Sequence, residues 1–263
     1  RVEVHDPAGT LVTTWRDPGR LGLVTAIGFG GGDVFLGDAT ARWVRRYDAT
    51  GHWRNDIGSQ HRKGGFHIPN GAVDFDVDRD GVLHVTNPGM HRVERYRADG
   101  TLLGHFGRFD GHDPAGFPGC CNPTNVAVDE GGRVVVSEKA GPRVKVYDPS
   151  GALVGVVSDA AFDSGAKNMD LAVDARGGVY VADTARLEVL VFEPAREEAP
   201  SARNTPGGRS SATPRGGPPS SSPGGASRPP PRRSRSRSRW RRWRFSRGFS
   251  SKRTPRPVGS MPM

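Results

Sequence analysis

One pattern recurs along the first 194 residues of this chain: alternating valines, an aromatic residue, a polar turn and then a glycine. The copies occupy residues 1–9, 43–51, 92–100, 143–151 and 187–192, and the last of them lacks the glycine. Their aromatic positions lie 42 to 51 residues apart, at His5, Tyr47, Tyr96, Tyr147 and Phe192. A repeat of this length is typical of a four-stranded propeller blade.

The sequence before each copy supplies the other strands of a blade. In the fourth unit we predict strands at 123–129, 133–137, 143–147 and 152–157, with a glycine turn at 130–132 that allows a positive φ. The strands predicted in the other units are 24–27, 34–38, 73–78, 82–86, 171–174 and 179–183. The glycine-rich segment 28–32 is predicted to be a turn between strands, which argues against a dinucleotide-binding loop.

Radial stacking of four-stranded antiparallel blades buries both apolar faces of each blade and leaves only short edges. The sequence therefore predicts an all-β fold, a β-propeller of four-stranded antiparallel blades, followed by a disordered tail. A β-sandwich also has regularly spaced strands. The recurrence of one specific unit favours the propeller.

The unit P-x-x-V-A-V-D-x-x-G-x-V-x-V, followed by R-V-x-V-[YF]-D-x-x-G, resembles the NHL repeat over nearly all of residues 1–194. The resemblance implies six blades in the intact propeller, of which four to five are represented, so that the domain at 1–196 is expected to be incomplete on its N-terminal side. The loop at 119–124 and the segment 137–147 are similar to a group of uncharacterised bacterial NHL-repeat proteins. Several of those look exported, which implies a periplasmic or extracellular location, with a cytoplasmic one as the alternative.

The net charge of +10 hides a sharp division along the chain. Residues 1–196 carry 22 Lys and Arg against 26 Asp and Glu, whereas residues 197–263 carry 16 against 2. The tail is rich in Ser, Pro, Gly and Arg and is expected to be disordered, because it has little apolar surface to bury. Its basic and aromatic residues suggest RNA association if the tail is genuine. A reading-frame shift in a GC-rich gene would produce a sequence of the same composition, which is the alternative explanation of the tail.

The loops that lead into the innermost strands are expected to line one mouth of the central channel, where propeller ligands bind. A ligand-binding interpretation selects polar residues on these loops and at the ends of the neighbouring strands. They are His67, Asn70, Cys120, Cys121, Asn122, Asn125, Lys139, Arg143, Lys167, Asn168 and Asp170. Asn and Asp side chains that only cap turns are the alternative. A surface ion pair of Glu138 is the alternative for Lys139 and Arg143.

Two cysteines are present, and they are adjacent, at Cys120 and Cys121. Three functional interpretations stay open: a vicinal disulfide, a redox pair, or a soft-metal site completed by His67, His91 or His112. The alternative is two small residues packed under a loop. The acidic run at Asp76, Asp78 and Asp80 lacks the later glutamate of a calcium loop, so we interpret it as turn-forming.

The repeats are complete enough to predict the fold, but no group of residues in the sequence can be assigned as a catalytic site. We therefore predict a non-catalytic propeller that binds a protein or a small molecule through its channel-mouth loops. The alternative is a metal-dependent propeller lyase or hydrolase. Neither a cofactor nor a resident metal is assigned by the sequence. No apolar run approaches the roughly 18 residues of a membrane-spanning helix.

Overall fold

The structure is a computed structural model, and it describes residues 1–139, 141–157, 159–194 and 241–245. The chain divides into two compact units, Arg1–Ala195 together with Trp240–Met263, and Arg196–Arg239. The second unit lies outside the described residues. The predicted tail at 197–263 does so too, apart from one five-residue strand.

The described part of the first unit contains eighteen strands and two short 3-10 helices, Pro88–Met90 and Asp159–Ala161. The strands are β1 Val2–His5, β2 Leu11–Trp15, β3 Val24–Gly30, β4 Asp33–Asp38, β5 Trp43–Asp48, β6 Trp53–Ile57, β7 Phe75–Val77, β8 Leu83–Asn87, β9 Arg92–Tyr96, β10 Leu102–Phe106, β11 Val126–Val128, β12 Val134–Glu138, β13 Arg143–Tyr147, β14 Leu153–Val157, β15 Leu171–Val173, β16 Val179–Asp183, β17 Glu188–Pro194 and β18 Arg241–Phe245.

The strands pair in the order expected of successive blades, so the predicted propeller fold is confirmed. Blade 1 contributes β1 and β2, and blades 2, 3 and 4 are the antiparallel sheets β3–β6, β7–β10 and β11–β14. Blade 5 contains β15, β16 and β17, and β18 pairs antiparallel with β17 at its outer edge. Because β18 also pairs parallel with β14, the fourth and fifth blades share one eight-stranded sheet.

Two details of the strand prediction were wrong. The innermost strands of blades 3, 4 and 5 have only three residues each, although flanking residues still bond to the second strand, as the Ser137 N–H does to the Asn125 carbonyl. Gly28 and Gly30 lie inside β3 rather than in a turn. A Cβ atom on Gly28 would lie 2.8 Å from the Phe75 ring, so glycine lets blade 3 approach blade 2 closely.

The hydrophobic core is divided among the interfaces between blades. Phe35 and Val44 of blade 2 pack in one cluster with Leu83 and Val85 of blade 3, and clusters of the same kind lie at the three other interfaces. The second strands of blades 2, 3 and 4 are buried on both faces: in blade 4, Val134 and Val136 pack toward blade 3, while Val135 packs toward blade 5. This double burial explains why β12 begins with three consecutive valines rather than with alternating apolar and polar residues.

At each interface between blades 2, 3, 4 and 5, a side-chain hydroxyl of one blade donates a hydrogen bond to a backbone carbonyl on the segment that enters the next blade. The Thr25 hydroxyl donates to the Val73 carbonyl at 2.8 Å, and the Ser137 hydroxyl donates to the Met169 carbonyl at 2.8 Å. Thr86 makes the corresponding bond, at 3.4 Å, to a carbonyl of the fourth blade. These bonds satisfy backbone acceptors that the blade interfaces remove from water.

Candidate functional site

In blades 2 to 5, the loop that enters the blade is hydrogen-bonded to the segment between the second and third strands of the same blade. This geometry follows from antiparallel pairing, because the first strand begins where the second ends. In blade 4 the buried Asn122 side chain accepts the Lys139 N–H and donates to the Pro118 carbonyl, both at 2.8 Å. In blade 5 the Thr184 hydroxyl accepts the Lys167 N–H at 3.1 Å. The structure therefore places Asn122, Lys139 and Lys167 on one side of the blades.

Asn122 has a structural role, because its side-chain oxygen and nitrogen are both used to hold its own loop. Asn168 is exposed and has a left-handed φ of 49°, and the exposed Asp170 accepts its neighbour Leu171 N–H at 3.0 Å. These two residues fit the turn-capping interpretation better than the ligand-binding one.

Three of the predicted site residues have buried polar atoms without a hydrogen-bond partner among the described residues. These atoms are Nδ1 of His67, Oδ1 of Asn70 and Oδ1 of Asn125. Unpaired buried polar atoms are uncommon in folded proteins and need an explanation. They lie on the loops and strands that lead into blades 3 and 4, which is where the sequence predicted a binding site.

The interpretation of Glu138 as half of a surface ion pair was wrong. Glu138 is fully buried at the end of β12, where it pairs with Arg143 and, at 2.8 Å, with the equally buried Lys145. The Lys145 ammonium also donates to the Gly116 carbonyl and lies 4.8 Å from the centre of the Phe117 ring. Arg143 therefore belongs to a buried structural cluster that ties its strand to the loop entering blade 4.

Blades 2 and 3 also have a cluster of polar side chains where the second strand ends and the third begins, but their charges are arranged differently. In blade 2 the buried Asp38 pairs with Arg45 at 2.9 Å. In blade 3 the acidic residue lies on the third strand instead. Buried Glu94 pairs with Arg92 and accepts a hydrogen bond from the Asn87 side-chain amide at 3.0 Å. Buried charges with such partners are tolerated because the partners replace their hydration.

Blade 3 differs from the others because a histidine of its entrance loop joins the cluster. The Nε2 atom of His61 lies 2.9 Å from the Glu94 carboxylate and 2.7 Å from the Tyr96 hydroxyl. Burial alone would raise the pKa of Glu94, but the hydrogen bonds from His61, Tyr96 and Arg92 lower it to about 2. Glu94 is therefore ionised at neutral pH and fixes the orientation of the His61 ring.

A cavity of about 290 Å³ opens beside this cluster, and we call it the mouth cavity. Its lining residues share one location, the entrance loop and the second-to-third-strand loop of blade 3; they are His61, Arg62, Lys63, Gly65, His67, Asn87 and Met90. Within the described residues, neither Arg62 nor Lys63 has a salt-bridge partner. The mouth cavity therefore combines two unpaired cations with two histidines.

His67 is the only residue of the mouth cavity that the sequence selected. His61, Arg62 and Lys63 were missed because they lie ten residues or more before the predicted inner strand. A usable signal was present: His-Arg-Lys is a basic triplet inside a domain that is acidic as a whole. The pairing of His61 with Glu94 spans 33 residues, and no local pattern indicates it.

Cys120 and Cys121 lie on the entrance loop of blade 4, as predicted, with their Sγ atoms 3.1 Å apart. Both are free thiols; Cys120 is exposed and Cys121 is buried. No group of three or more His, Cys, Asp or Glu side chains converges on a possible metal position in the described part of the chain. His91, one of the proposed completing ligands, bonds through Nδ1 to the Phe117 carbonyl at 3.0 Å.

The acidic run of blade 3 forms turns and interblade contacts. Asp78 accepts the N–H groups of Asp80 and Val82, both at 2.9 Å, which confirms its turn-forming role. Asp76 instead accepts the Val128 N–H of blade 4 at 2.7 Å. Asp76 thus connects two neighbouring inner strands rather than shaping the turn.

Asp74, two residues before Asp76, also accepts a backbone N–H of blade 4. Its carboxyl group makes the stability of the protein depend on pH. It accepts the Val126 N–H at 2.7 Å, while burial, reinforced by the nearby charges of Asp170 and Asp76, raises its pKa to about 7. The native protein therefore holds a proton that the unfolded chain releases near pH 4, so stability falls as pH rises from about 4 to 7.

We expect Asp74→Asn to leave stability nearly unchanged at pH 4 and to raise the free energy of unfolding by roughly 1–3 kcal/mol at pH 8. The amide keeps an oxygen for the Val126 N–H but has no charge to bury. Urea unfolding at both pH values measures the difference. Asp170→Asn is the companion variant, and it should weaken the pH dependence of the wild type. An equal effect of Asp74→Asn at both pH values would contradict this account.

No helix among the described residues is long and apolar enough to cross a membrane. No protein-family model matches the sequence, and no curated protein matches it. The solved structures that it resembles include a catalytically inactive virginiamycin B lyase from Staphylococcus aureus with quinupristin. That structure has a TM-score of 0.52 and 12% identity over 72% of this chain and 58% of that one.

The nidogen/laminin complex has a TM-score of 0.51 and 16% identity over 71% of this chain and 65% of that one. A gluconolactonase from Xanthomonas campestris has a TM-score of 0.48 and 19% identity over 65% and 58% of the two chains. The chain spans 51% of the length of a streptogramin B lyase structure that it also matches. At 12% and 16% identity, the likeness to the virginiamycin B lyase and to the nidogen/laminin complex shows the fold alone, and that fold is a β-propeller.

Proposed function

We propose that this propeller is a non-catalytic binding protein that takes a small anionic ligand, such as a carboxylate or a phosphate ester, in the mouth cavity of blade 3. The observation that carries the proposal is the convergence of Arg62 and Lys63, both without an acidic partner among the described residues, with His61 and His67 around one cavity. The cavity lies where propeller ligands are expected, at the loops entering an inner strand.

The charge balance of the mouth cavity supports an anion. Among the described residues, Glu94 is the acid that forms an ion pair beside the mouth cavity, and Arg92 already balances its charge. A bound carboxylate or phosphate would therefore meet uncompensated positive charge. It would also supply acceptors to arginine and lysine donors, the pairing that gives strong charge-assisted hydrogen bonds.

The size of the cavity sets the class of ligand. A volume of about 290 Å³ is at the lower end for small-molecule sites, which span roughly 300–1,000 Å³. His67 also gives the site a fixed wall: its ring packs so closely on Gly89 that a Cβ atom there would lie 2.3 Å from Nδ1. A compact anion fits this space better than a peptide does.

The test is calorimetric titration of the full chain with inorganic phosphate and with succinate, and with putrescine as a cationic probe. We expect the anions to bind, with affinity that falls at higher salt, and putrescine not to bind. Arg62→Ala combined with Lys63→Ala should weaken anion binding by about tenfold or more, since each lost charge-assisted bond is worth roughly 1.5–3 kcal/mol.

Arg54→Ala is the matched control, because it removes an exposed cation of blade 2 that pairs with Asp48 and does not line the mouth cavity. Its affinity for the anions should equal that of the wild type. Binding of putrescine but not of the anions, or unchanged anion binding in the double variant, would refute the proposal.

The repeat type, the compartment and the domain boundary belong to the same proposal. We assign the blades to the NHL type on the sequence unit quoted above, and place the protein in the periplasm or outside the cell on its similarity to exported NHL-repeat proteins. The abrupt change in charge supports a boundary near residue 196, although β18 of the basic segment pairs with β17 and β14. A protein partner at the channel mouth is the alternative to a small ligand.

A further inference from the structure

The two cysteines form a thiol pair with unequal exposure. Their Sγ atoms are 3.1 Å apart, and Cys120 is exposed whereas only 4% of the Cys121 surface is accessible. They are the only cysteines of the chain, so neither has another thiol to react with in the same molecule. An accessible thiol beside a sheltered one is the arrangement in which one sulfur meets an external reagent and the second completes the reaction.

We propose that Cys120 and Cys121 are a reversible redox site that closes into a vicinal disulfide by exchange with a low-molecular-weight disulfide such as oxidised glutathione. The Cys120 thiolate attacks one sulfur of the glutathione disulfide and forms a mixed disulfide, while one glutathione thiolate leaves. Cys121 loses its proton and attacks the Cys120 sulfur, which expels the second glutathione. Two protein thiols are oxidised, and one disulfide is reduced to two thiols.

The surroundings assign the two steps to particular sulfurs. Burial and the contact with Cys120 raise the pKa of Cys121, so the sheltered thiol is the poorer first nucleophile. The Lys139 side chain hydrogen-bonds Cys121 and opposes this effect. The cation thereby favours loss of the Cys121 proton in the second step, when the mixed disulfide lies within reach.

The site is also connected to the rest of the channel mouth. Asn122, which follows directly in the chain, bonds to the Lys139 N–H and the Pro118 carbonyl. Ring closure between adjacent residues restricts the backbone on which the Asn122 side chain depends. Oxidation is therefore expected to alter the entrance loop of blade 4, independently of the anion proposed to bind at blade 3.

The experiment is mass spectrometry of the native full chain after exposure to oxidised glutathione, compared with the reduced protein. The wild type should lose the mass of two hydrogens, carry no glutathione, and return to its starting mass with dithiothreitol. Cys121→Ser should retain one glutathione on Cys120, because no second thiol expels it. Cys120→Ser should react at least about tenfold more slowly than Cys121→Ser, since the remaining thiol is buried.

Two results would overturn the proposal. The first is a stable glutathione adduct on the wild type, which would show that Cys121 does not complete the exchange. The second is an unreacted wild type under conditions in which Cys121→Ser forms its adduct. Lys139→Met adds a rate measurement: the mixed disulfide should persist longer than in the wild type, whereas an unchanged lifetime would remove Lys139 from the mechanism.

Discussion

Glu138→Ala is expected to lower the free energy of unfolding by about 3–5 kcal/mol, the largest effect that we foresee for a single charged residue. The substitution leaves Lys145 inside the blade with no carboxylate partner, because both side chains are fully buried. The Gly116 carbonyl and the Phe117 ring remain near the ammonium, but neither carries a balancing charge. Chemical denaturation at neutral pH, followed by intrinsic fluorescence, measures the loss.

A second substitution separates the charge from the packing. Lys145→Met added to Glu138→Leu removes both buried charges and keeps their volume, so it should recover most of the lost stability. Arg108→Ala is the exposed control: its salt bridges to Asp110 and Asp113 are open to solvent, and its removal should have no measurable effect. A Glu138→Ala protein as stable as the wild type would show that Lys145 finds water or another partner.

Phe117→Ala is expected to destabilise the protein by about 3–5 kcal/mol through a different mechanism, the loss of a buried aromatic side chain. Phe117 is fully buried and packs at 5.8 Å, ring centre to ring centre, against Tyr147. Its ring also covers the Lys145 ammonium and fills the space above Gly107, where a Cβ atom would lie only 2.3 Å away. The change therefore opens a cavity and uncovers a buried charge.

The same denaturation assay tests this substitution, and Phe109→Ala is the control. Phe109 lies eight positions earlier on the same loop but is 66% exposed, so its removal should change stability by a fraction of a kcal/mol. Phe117→Leu should have an intermediate effect, since it refills part of the space. Equal effects of Phe109→Ala and Phe117→Ala would contradict the assigned role of the loop.

The contact between Phe117 and Tyr147 has counterparts in the neighbouring blades, so it is a repeated feature of the fold. Phe66 packs on Tyr96 at 5.9 Å, and Phe162 packs on Phe192 at 5.6 Å. In each of blades 3, 4 and 5 an aromatic residue of the entrance loop meets the aromatic residue of the third strand. The loops that enter these blades are therefore anchored to the blade core, and this anchoring gives the mouth cavity and the thiol pair a defined geometry.

The blade pattern could be predicted from sequence because it is local. The alternation of β13 and the Asp148–Gly151 turn that follows it are encoded within a few residues, and the Gly151 N–H bonds to the Asp148 carbonyl as such a turn requires. β13 and β16 have the predicted ends. Repetition of this unit at a steady interval was sufficient to identify the propeller.

Tertiary structure decided which polar side chains of the entrance loops and strand ends are buried and which partners they have. Nothing near Glu138 in the sequence shows that a distant loop will cover it and bring the Gly116 carbonyl to Lys145, 29 residues apart. The joining of His61 to Glu94, 33 residues apart, is equally invisible. Hydrogen bonds within a turn, and between the strands that the turn joins, depend on residues close in the chain, whereas burial of a charge depends on which loop packs above it. The sequence by itself therefore determined the blades and their order. Only the packing of loops on blades determined which polar residues are buried and which stay exposed.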